Sequence, residues 1–177
     1  MDLLPAAPVW MLTLLLSTTA LATDQSSGSL NQSNVPSTAQ DTVDVQHVMR
    51  AFHEAVTTHD GARLAALFIS EGSTWLNVLS DEAYVRAKAK SPDAEKIRVG
   101  SYQKFAEFVS SSQARLDPRH SHVHVRSDGT VASVYFDFVF LIDGKSENQG
   151  SETWQLVKGA EGWRIVAITY SSNPQSD

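Results

Sequence analysis

From Pro118 onward the sequence is patterned as β-strands only, and this half of the chain restricts the fold most strongly. Asp128-Gly129 and Asp143-Gly144 separate the alternating apolar runs, and residues 159–162 separate the last two. Such residues form the tight turns that join antiparallel neighbours. The pattern predicts a four-stranded meander over 120–126, 130–142, 151–158 and 163–171.

The sequence before Pro118 is mainly helical in its periodicity. Over 43–59, apolar residues recur at helical spacing and polar residues fill the other side. Further helices are predicted after the capping residues Asp60, Ser80 and Ser101, and short strands at 74–79 and 97–99. Helices first and a meander last predict an α+β fold.

The first 22 residues have the pattern of a secretory signal peptide. The apolar run from Val9 to Leu16 is shorter than the roughly 20 residues that span a membrane, and Ala20-Leu21-Ala22 is a typical cleavage pattern. Asp2 stands where Lys or Arg is usual, which leaves an uncleaved anchor as the alternative. Residues 23–41 are rich in Ser, Asn, Gln and Thr and predict a disordered tether. We expect a secreted or periplasmic protein with no membrane span after signal removal, folded over 42–173.

Composition and missing motifs exclude several classes of protein. The chain has no cysteine, which excludes disulfide scaffolds and thiol enzymes. Its 20 acidic and 14 basic residues oppose nucleic-acid binding, which depends on cations that displace counterions from phosphates. The sequence also lacks a phosphate-binding glycine loop, a dinucleotide fingerprint, an H-E-x-x-H motif and a G-x-S-x-G motif. We therefore expect no cofactor and no nucleic-acid partner.

A set of motifs, in chain order, resembles the nuclear transport factor 2-like superfamily and its SnoaL-like branch over about residues 43 to 172. The motifs are His59-Asp60, Phe68 at the end of a short helix, Trp75-x-Asn77, Gly100 before a helix, and Gly162-Trp163-Arg164-Ile165. The resemblance implies a cone-shaped roll, in which a curved antiparallel sheet wraps around a long N-terminal helix. It also implies a pocket at the open end and a homodimer formed through the outer sheet face. The fold hosts isomerases, dehydratases, cyclases, ligand binders and assembly domains, so it does not by itself define a function.

Strand alternation sorts the side chains that could line such a pocket. The even positions from Ala132 to Ile142 are apolar and should face inward. In the next strand Trp154 faces inward and carries Glu152 to the same side, and in the last strand we expect the face of Trp163 to be the inner one. Related sequences often have two inward histidines in the last strand, where this chain has Ala167 and Thr169. The predicted ligand-binding residues are Trp75, Asn77, Tyr102, Phe105, Phe138, Glu152, Trp154, Trp163 and Thr169.

Glu152 is the leading candidate for chemistry. A carboxylate in an apolar enclosure has a raised pKa and can move a proton, with Asn77 or Tyr102 stabilising an enolate or carbonyl oxygen. The alternative is that Glu152 lies in water at the end of its strand, since its position in the sequence fits both.

His120, His122 and His124 occupy alternate positions of one predicted strand. Their imidazoles should share one face about 7 Å apart, opposite Val123 and Val125. Such a pair can hold zinc, but the run offers no carboxylate and continues into a cation. We therefore expect no metal site and a solvated or dimer-contact face.

Three functions fit these observations. The first is an exported protein whose apolar, aromatic-lined pocket binds a small hydrophobic molecule. The second is an isomerase, dehydratase or cyclase that uses Glu152 with Asn77 or Tyr102. The third is a dimeric assembly module whose outer face includes Tyr135, Tyr170 and the histidine row.

Overall fold

The computed structural model describes residues 39–174. The predicted signal segment at 1–22, and the predicted tether as far as residue 38, lie outside the described residues. The helices are α1 (Ala39–Thr57), α2 (Gly61–Ala65), α3 (Asp81–Lys90) and α4 (Tyr102–Ser111). No helix within residues 39–174 is both long enough and apolar enough to cross a membrane.

The helix starts follow from local capping chemistry. Asp60 accepts a hydrogen bond from the Arg63 backbone at 2.8 Å, and Ser80 and Ser101 cap α3 and α4 in the same way. The first helix starts at Ala39, three residues before the predicted domain boundary. A tertiary contact stabilises this earlier start, because Asp41 is buried and accepts a hydrogen bond from Lys158 Nζ at 3.2 Å.

The strands form one curved sheet, which confirms the α+β fold predicted from the sequence. Their bounds are β1 (Thr74–Leu79), β2 (Ile97–Val99), β3 (Leu116–Ser127), β4 (Val131–Ile142), β5 (Lys145–Gly159) and β6 (Gly162–Ser172). The strand order is β2-β1-β6-β5-β4-β3, so the meander from β3 to β6 is continuous. One pair of strands departs from the predicted antiparallel sheet, because β1 pairs with β6 in parallel.

The fifth strand begins six residues before the predicted position. Asp143 and Gly144 both have positive φ, 52° and 81°, and form a two-residue turn that leads directly into Lys145. Residues 145–150 lack the β-branched and aromatic residues that mark strands in a sequence, so their pairing with β4 decides their conformation.

The core lies between α1 and the inner face of the sheet. Helix α1 contributes Val45, Phe52 and Val56, and the sheet contributes apolar side chains at its inward positions. The largest fully buried side chains on the sheet are Phe136, Trp154, Leu116, Leu156, Ile165 and Ile168.

Register shifts interrupt the regular alternation of three strands. In β3 the shift falls between Ser121 and His124, where His122 has a φ of 51°. In β6 Val166 is the extra residue, because Gln155 pairs with Ala167 while Leu156 pairs with Ile165. In β5 the extra residue is Glu147. A bulge of this kind bends the strand and changes which alternate residues face inward beyond it.

Candidate functional site

A cavity of about 590 Å³ lies between the inner face of the sheet and helices α1 and α4. Its walls are largely aromatic, with Trp75 and Phe105 at a ring distance of 5.3 Å and Phe52 and Phe105 at 6.0 Å. Five of the nine predicted ligand-binding residues line it: Trp75, Asn77, Phe105, Phe138 and Glu152. Gly100 also lines the cavity, and a Cβ there would lie 2.8 Å from the Trp75 ring, so glycine allows this indole to pack against the backbone.

A row of polar side chains crosses the floor of the cavity. Glu152 on β5 is paired with Tyr170 on β6, Tyr170 with Asn77 on β1, and Asn77 with Arg98 on β2. Residues paired in register share a face of the sheet, and all four line the cavity. We call Glu152, Tyr170, Asn77 and Arg98 the polar row.

Glu152 is the titratable group at the inner end of the polar row. Burial raises its pKa to about 7, against the hydrogen bond that Trp154 Nε1 donates to Oε1 at 2.5 Å, which lowers it. A carboxyl group with this pKa is divided between its two protonation states at neutral pH, and it can both accept and donate a proton there.

Tyr170 lies beside Glu152 and keeps its proton. Burial raises its pKa and the charge of Glu152 adds to that effect, while hydrogen bonds from Trp75 and Asn77 and the charge of Arg98 oppose it. The side-chain oxygen of Asn77 is buried and has no hydrogen-bond partner within residues 39–174. A protonated phenol at this place can donate a hydrogen bond to an oxygen atom in the cavity.

His120 lines the cavity, although its place in the sequence predicted an outward side chain. Its ring lies 4.6 Å from Phe136 and 6.0 Å from Trp154. Burial lowers its pKa to about 4, with a further contribution from the charge of His53, so it is neutral at pH 7. The expected row of three outward histidines is therefore wrong, because the bulge after Ser121 separates His120 from the other two. The sequence did contain a signal that the inward face changes along this strand. The apolar residue Leu116 occupies an even position, whereas the apolar residues Val123 and Val125 occupy odd positions.

The other two histidines lie on the outer face. His122 Nδ1 lies 2.9 Å from Asp137 Oδ2, and Ser151 Oγ donates to Asp137 Oδ1 at 2.9 Å. Hydrogen bonds from Ser151 and His122 lower the pKa of Asp137. His124 is paired with Tyr135. Within residues 39–174, no three side chains of the metal-binding types come together as a metal site.

Four predicted ligand-binding residues do not line the cavity. Tyr102 stacks on Phe68 at 4.6 Å and donates its hydroxyl hydrogen to the Ser70 carbonyl at 3.3 Å, so it is turned away from Glu152. Trp154 is fully buried beneath the floor, where it donates a hydrogen bond to Glu152 and its ring lies 5.0 Å from Phe52 and 6.0 Å from His120. Trp163 is buried in the core, with Lys158 Nζ 5.5 Å from its ring centre.

Thr169 is the fourth, and its predicted inward orientation is wrong. It is paired with Thr153 on β5 and Leu76 on β1, on the face opposite the cavity. The bulge at Val166 is the reason, since beyond it Ile168 and Tyr170 turn inward in place of Ala167 and Thr169. Tyr170 was expected on the outer face, and that expectation is corrected by the same bulge.

Solved structures share this architecture. A protein of unknown function from Mycobacterium tuberculosis aligns at a TM-score of 0.56 and 16% identity, over 76% of this chain and 72% of that one. A candidate dehydratase of the NTF2-like family from Streptomyces avermitilis aligns at 0.56 and 17%, over 77% and 98%. A candidate aromatic ring hydroxylase from Novosphingobium aromaticivorans aligns at 0.55 and 17%, over 77% and 91%.

These likenesses define the architecture. The chain has the nuclear transport factor 2-like fold, as the order of its sequence motifs predicted. No family model matches the sequence, and neither does any curated protein. The SnoaL-like branch stays a prediction.

Proposed function

We propose that the protein binds a small, largely apolar molecule in the cavity and that a polar group of this molecule lies against Glu152 and Tyr170. The observation that carries the proposal is an aromatic cavity of about 590 Å³ with a polar row on its floor. Pockets for small molecules are usually about 300 to 1,000 Å³ and combine apolar walls with a few converging polar groups.

Two exposed aromatic residues provide a matched test of binding. Phe108 is 40% exposed and lines the cavity, whereas Tyr135 is 48% exposed on the outer face. Binding of 2-tetralone, a neutral bicyclic ketone, can be measured by calorimetry. We expect Phe108→Ala to weaken binding about fivefold, equivalent to about 1 kcal/mol of lost apolar contact, and Tyr135→Ala to leave it unchanged. Equal effects of the two substitutions, or no binding by a panel of such ketones, would contradict the proposal.

A second candidate is proton transfer, favoured by the pKa of about 7 at Glu152. In this reaction the Glu152 carboxylate removes a proton from the carbon next to a carbonyl group. The Tyr170 hydroxyl donates a hydrogen bond to the enolate oxygen, and Glu152 then returns the proton to carbon. This is the isomerase or dehydratase type of chemistry. Tyr170 takes the role that the sequence predicted for Tyr102, which is to stabilise the enolate oxygen.

Exchange of the 2-tetralone α-protons in deuterium oxide tests this chemistry by NMR. We expect the protein to accelerate exchange over buffer, with a rate that rises through about pH 7 as Glu152 ionises. Glu152→Gln should abolish the acceleration and Tyr170→Phe should reduce it at least tenfold. Tyr102→Phe is the control, because its hydroxyl contacts the Ser70 carbonyl outside the cavity. An acceleration that survives Glu152→Gln would exclude this role.

We also propose a homodimer through the outer sheet face, where Tyr135 is exposed and His124 is paired with it. Tyr170 cannot contribute to this face, because it lies in the cavity. Sedimentation at micromolar concentration should give a dimer that Tyr135→Glu weakens. A monomer would exclude the assembly function.

Export is a further proposal, carried by the sequence of the first 22 residues. Mass spectrometry of protein from the expressing cell should find a mature chain that begins at Thr23. A chain that retains Met1 would favour the uncleaved anchor instead.

A further inference from the structure

We propose that the ligand carries a carboxylate, which Arg98 and Lys104 bind at the mouth of the cavity while its apolar body lies among the aromatic walls. This proposal rests on the binding function above and specifies the chemical class of the ligand: an amphipathic organic acid.

Arg98 is the outermost member of the polar row. It is exposed, it is paired with Asn77 on the inner face of the sheet, and it lines the cavity. Its charge is felt at the Tyr170 hydroxyl, where it lowers the pKa of that group, so the guanidinium lies within electrostatic range of the floor. Within residues 39–174, no carboxylate forms an ion pair with Arg98.

Lys104 is the second exposed cation that lines the cavity, and it belongs to helix α4 rather than to the sheet. It lies in the first turn of α4, where its backbone amide donates to the capping Ser101 and its exposed side chain lines the cavity. The first turn of α4 contains no acidic residue, and Lys104 also has no ion-pair partner within the described residues.

The charges that line the cavity favour an anion at the mouth and a neutral group at the floor. Besides Arg98 and Lys104, the charged or titratable side chains there are Glu147 at the mouth and Glu152, His120 and Tyr170 inside. Two cations therefore face one carboxylate at the mouth, in a chain whose net charge is −6. A second carboxylate beside Glu152 would be repelled, whereas a guanidinium and an ammonium at the mouth suit a single carboxylate well.

The geometry also limits the length of the ligand. Glu152 and Arg98 are separated by three strand spacings, or about 14 Å between Cα atoms. Their side chains shorten that span from both sides. A body of one or two rings between the carboxylate and the inner polar group therefore fits the row.

The test compares an acid with its neutral ester on the same ring system, using 2-naphthylacetate and methyl 2-naphthylacetate in calorimetry at pH 7.5 and low salt. We expect the wild type to bind the acid at least tenfold more tightly than the ester. Arg98→Gln should remove most of this preference and Lys104→Gln part of it, with a much larger loss of acid binding than of ester binding in both variants. Arg126→Gln is the matched control, because Arg126 is an exposed arginine of β3 that does not line the cavity.

The outcomes separate this inference from the binding proposal beneath it. If the ester binds as tightly as the acid, or if Arg98→Gln keeps the preference, the carboxylate assignment is wrong while binding in the cavity stands. If Arg126→Gln removes the preference as well, general attraction to the protein is responsible and the assignment is again wrong. If neither compound binds and 2-tetralone does not bind, the cavity function itself fails and this inference fails with it.

Discussion

The two faces of the sheet shift the pKa values of neighbouring carboxyl groups in opposite directions. Asp137 on the outer face is paired with Ser151, and the next residue along β5, Glu152, points into the cavity. Hydrogen bonds from Ser151 and His122 lower the pKa of Asp137, whereas burial raises that of Glu152 to about 7. One step along the sheet thus separates a carboxyl group that favours its charged form from a carboxyl group that can exchange protons at neutral pH.

The histidines repeat this contrast. His122 contacts Asp137 on the outer face, while His120, two residues earlier, packs on Phe136 and Trp154 with a pKa lowered to about 4. On the inner face the carboxyl group of Glu152 therefore favours its protonated form, and the imidazole of His120 favours its deprotonated form. Both favour the neutral form, because both are removed from water.

The largest expected effect is on the pH dependence of stability through Glu152. Its folded pKa of about 7 exceeds the ordinary 4.5, so the folded state holds the proton more tightly and loses stability as pH rises from about 4.5 to 7. The loss is up to about 3 kcal/mol at pH 8. Urea unfolding should show Glu152→Gln more stable than the wild type by that amount at pH 8 and about equal to it at pH 4.5. Glu161→Gln, in the exposed β5–β6 turn, is the control, and a pH-independent difference for Glu152→Gln would contradict the burial of this charge.

His120 should give a similar effect of opposite sign. Its folded pKa of about 4 lies below the ordinary 6.5, so the unfolded state binds the proton more tightly and stability falls as pH drops from about 6.5 to 4. His120→Phe should gain up to about 3 kcal/mol over the wild type at pH 4, relative to pH 7, in the same urea experiment. Between about pH 4.5 and 6.5 the two groups offset each other in the wild type, and each single variant should expose the slope of the other. Parallel curves for the wild type and His120→Phe would contradict the inner placement of this ring.

A smaller effect is expected from the indole beneath the floor. Trp154 donates to Glu152 and so lowers its pKa, and Trp154→Phe should raise the NMR titration midpoint of Glu152 further, by about one pH unit, or about 1.4 kcal/mol. Trp163→Phe makes the same change in a buried tryptophan that pairs with Lys158, six residues from Glu152 along β5, and should leave the midpoint in place. Equal shifts in the two variants would assign the effect to general loosening of the core.

The smallest effect is expected on the outer face. Asp137→Asn weakens an exposed network with His122 and Ser151, and exposed pairs of this kind contribute little. Thermal unfolding should show a slight loss at neutral pH that vanishes as acid protonates the wild-type carboxyl group, whose lowered pKa favours the charged form. The Glu152 titration should not move. A shift in its midpoint would show that the two faces communicate, contrary to their separate environments.

The sequence predicted what depends on neighbouring residues. Asp60, Ser80 and Ser101 start their helices as capping chemistry requires, and the turn residues after Pro118 predicted the order of the meander. Three predicted wall residues line the cavity because no extra residue interrupts their elements, β1, α4 and β4: Trp75, Phe105 and Phe138.

The side chains that were predicted on the wrong face depend on where the sheet bends. The bulge at Val166 places Tyr170 in the cavity and Thr169 outside it, and the bulge after Ser121 does the same for His120 and His124. Strict alternation assigns Thr169, Tyr170 and His120 to the wrong face, although it assigns His124 correctly, because a bulge is set by the packing of distant strands. The inward approach of Tyr102 also failed as a prediction, since Phe68 offers its ring a parallel stacking surface.

The three extra residues in β3, β5 and β6 have a consequence for how such a protein can diverge. On both sides of each extra residue the strand remains paired with its neighbour. Removing the extra residue would therefore straighten the strand, while the remaining side chains would keep the faces of the sheet on which they now lie. The gain or loss of a single residue therefore changes the curvature of the sheet beneath the cavity, and in β5 the residue concerned is the cavity-lining Glu147. When distant homologues of this chain are aligned, a one-residue gap within one of these strands is expected to mark a change in the curvature of the cavity floor.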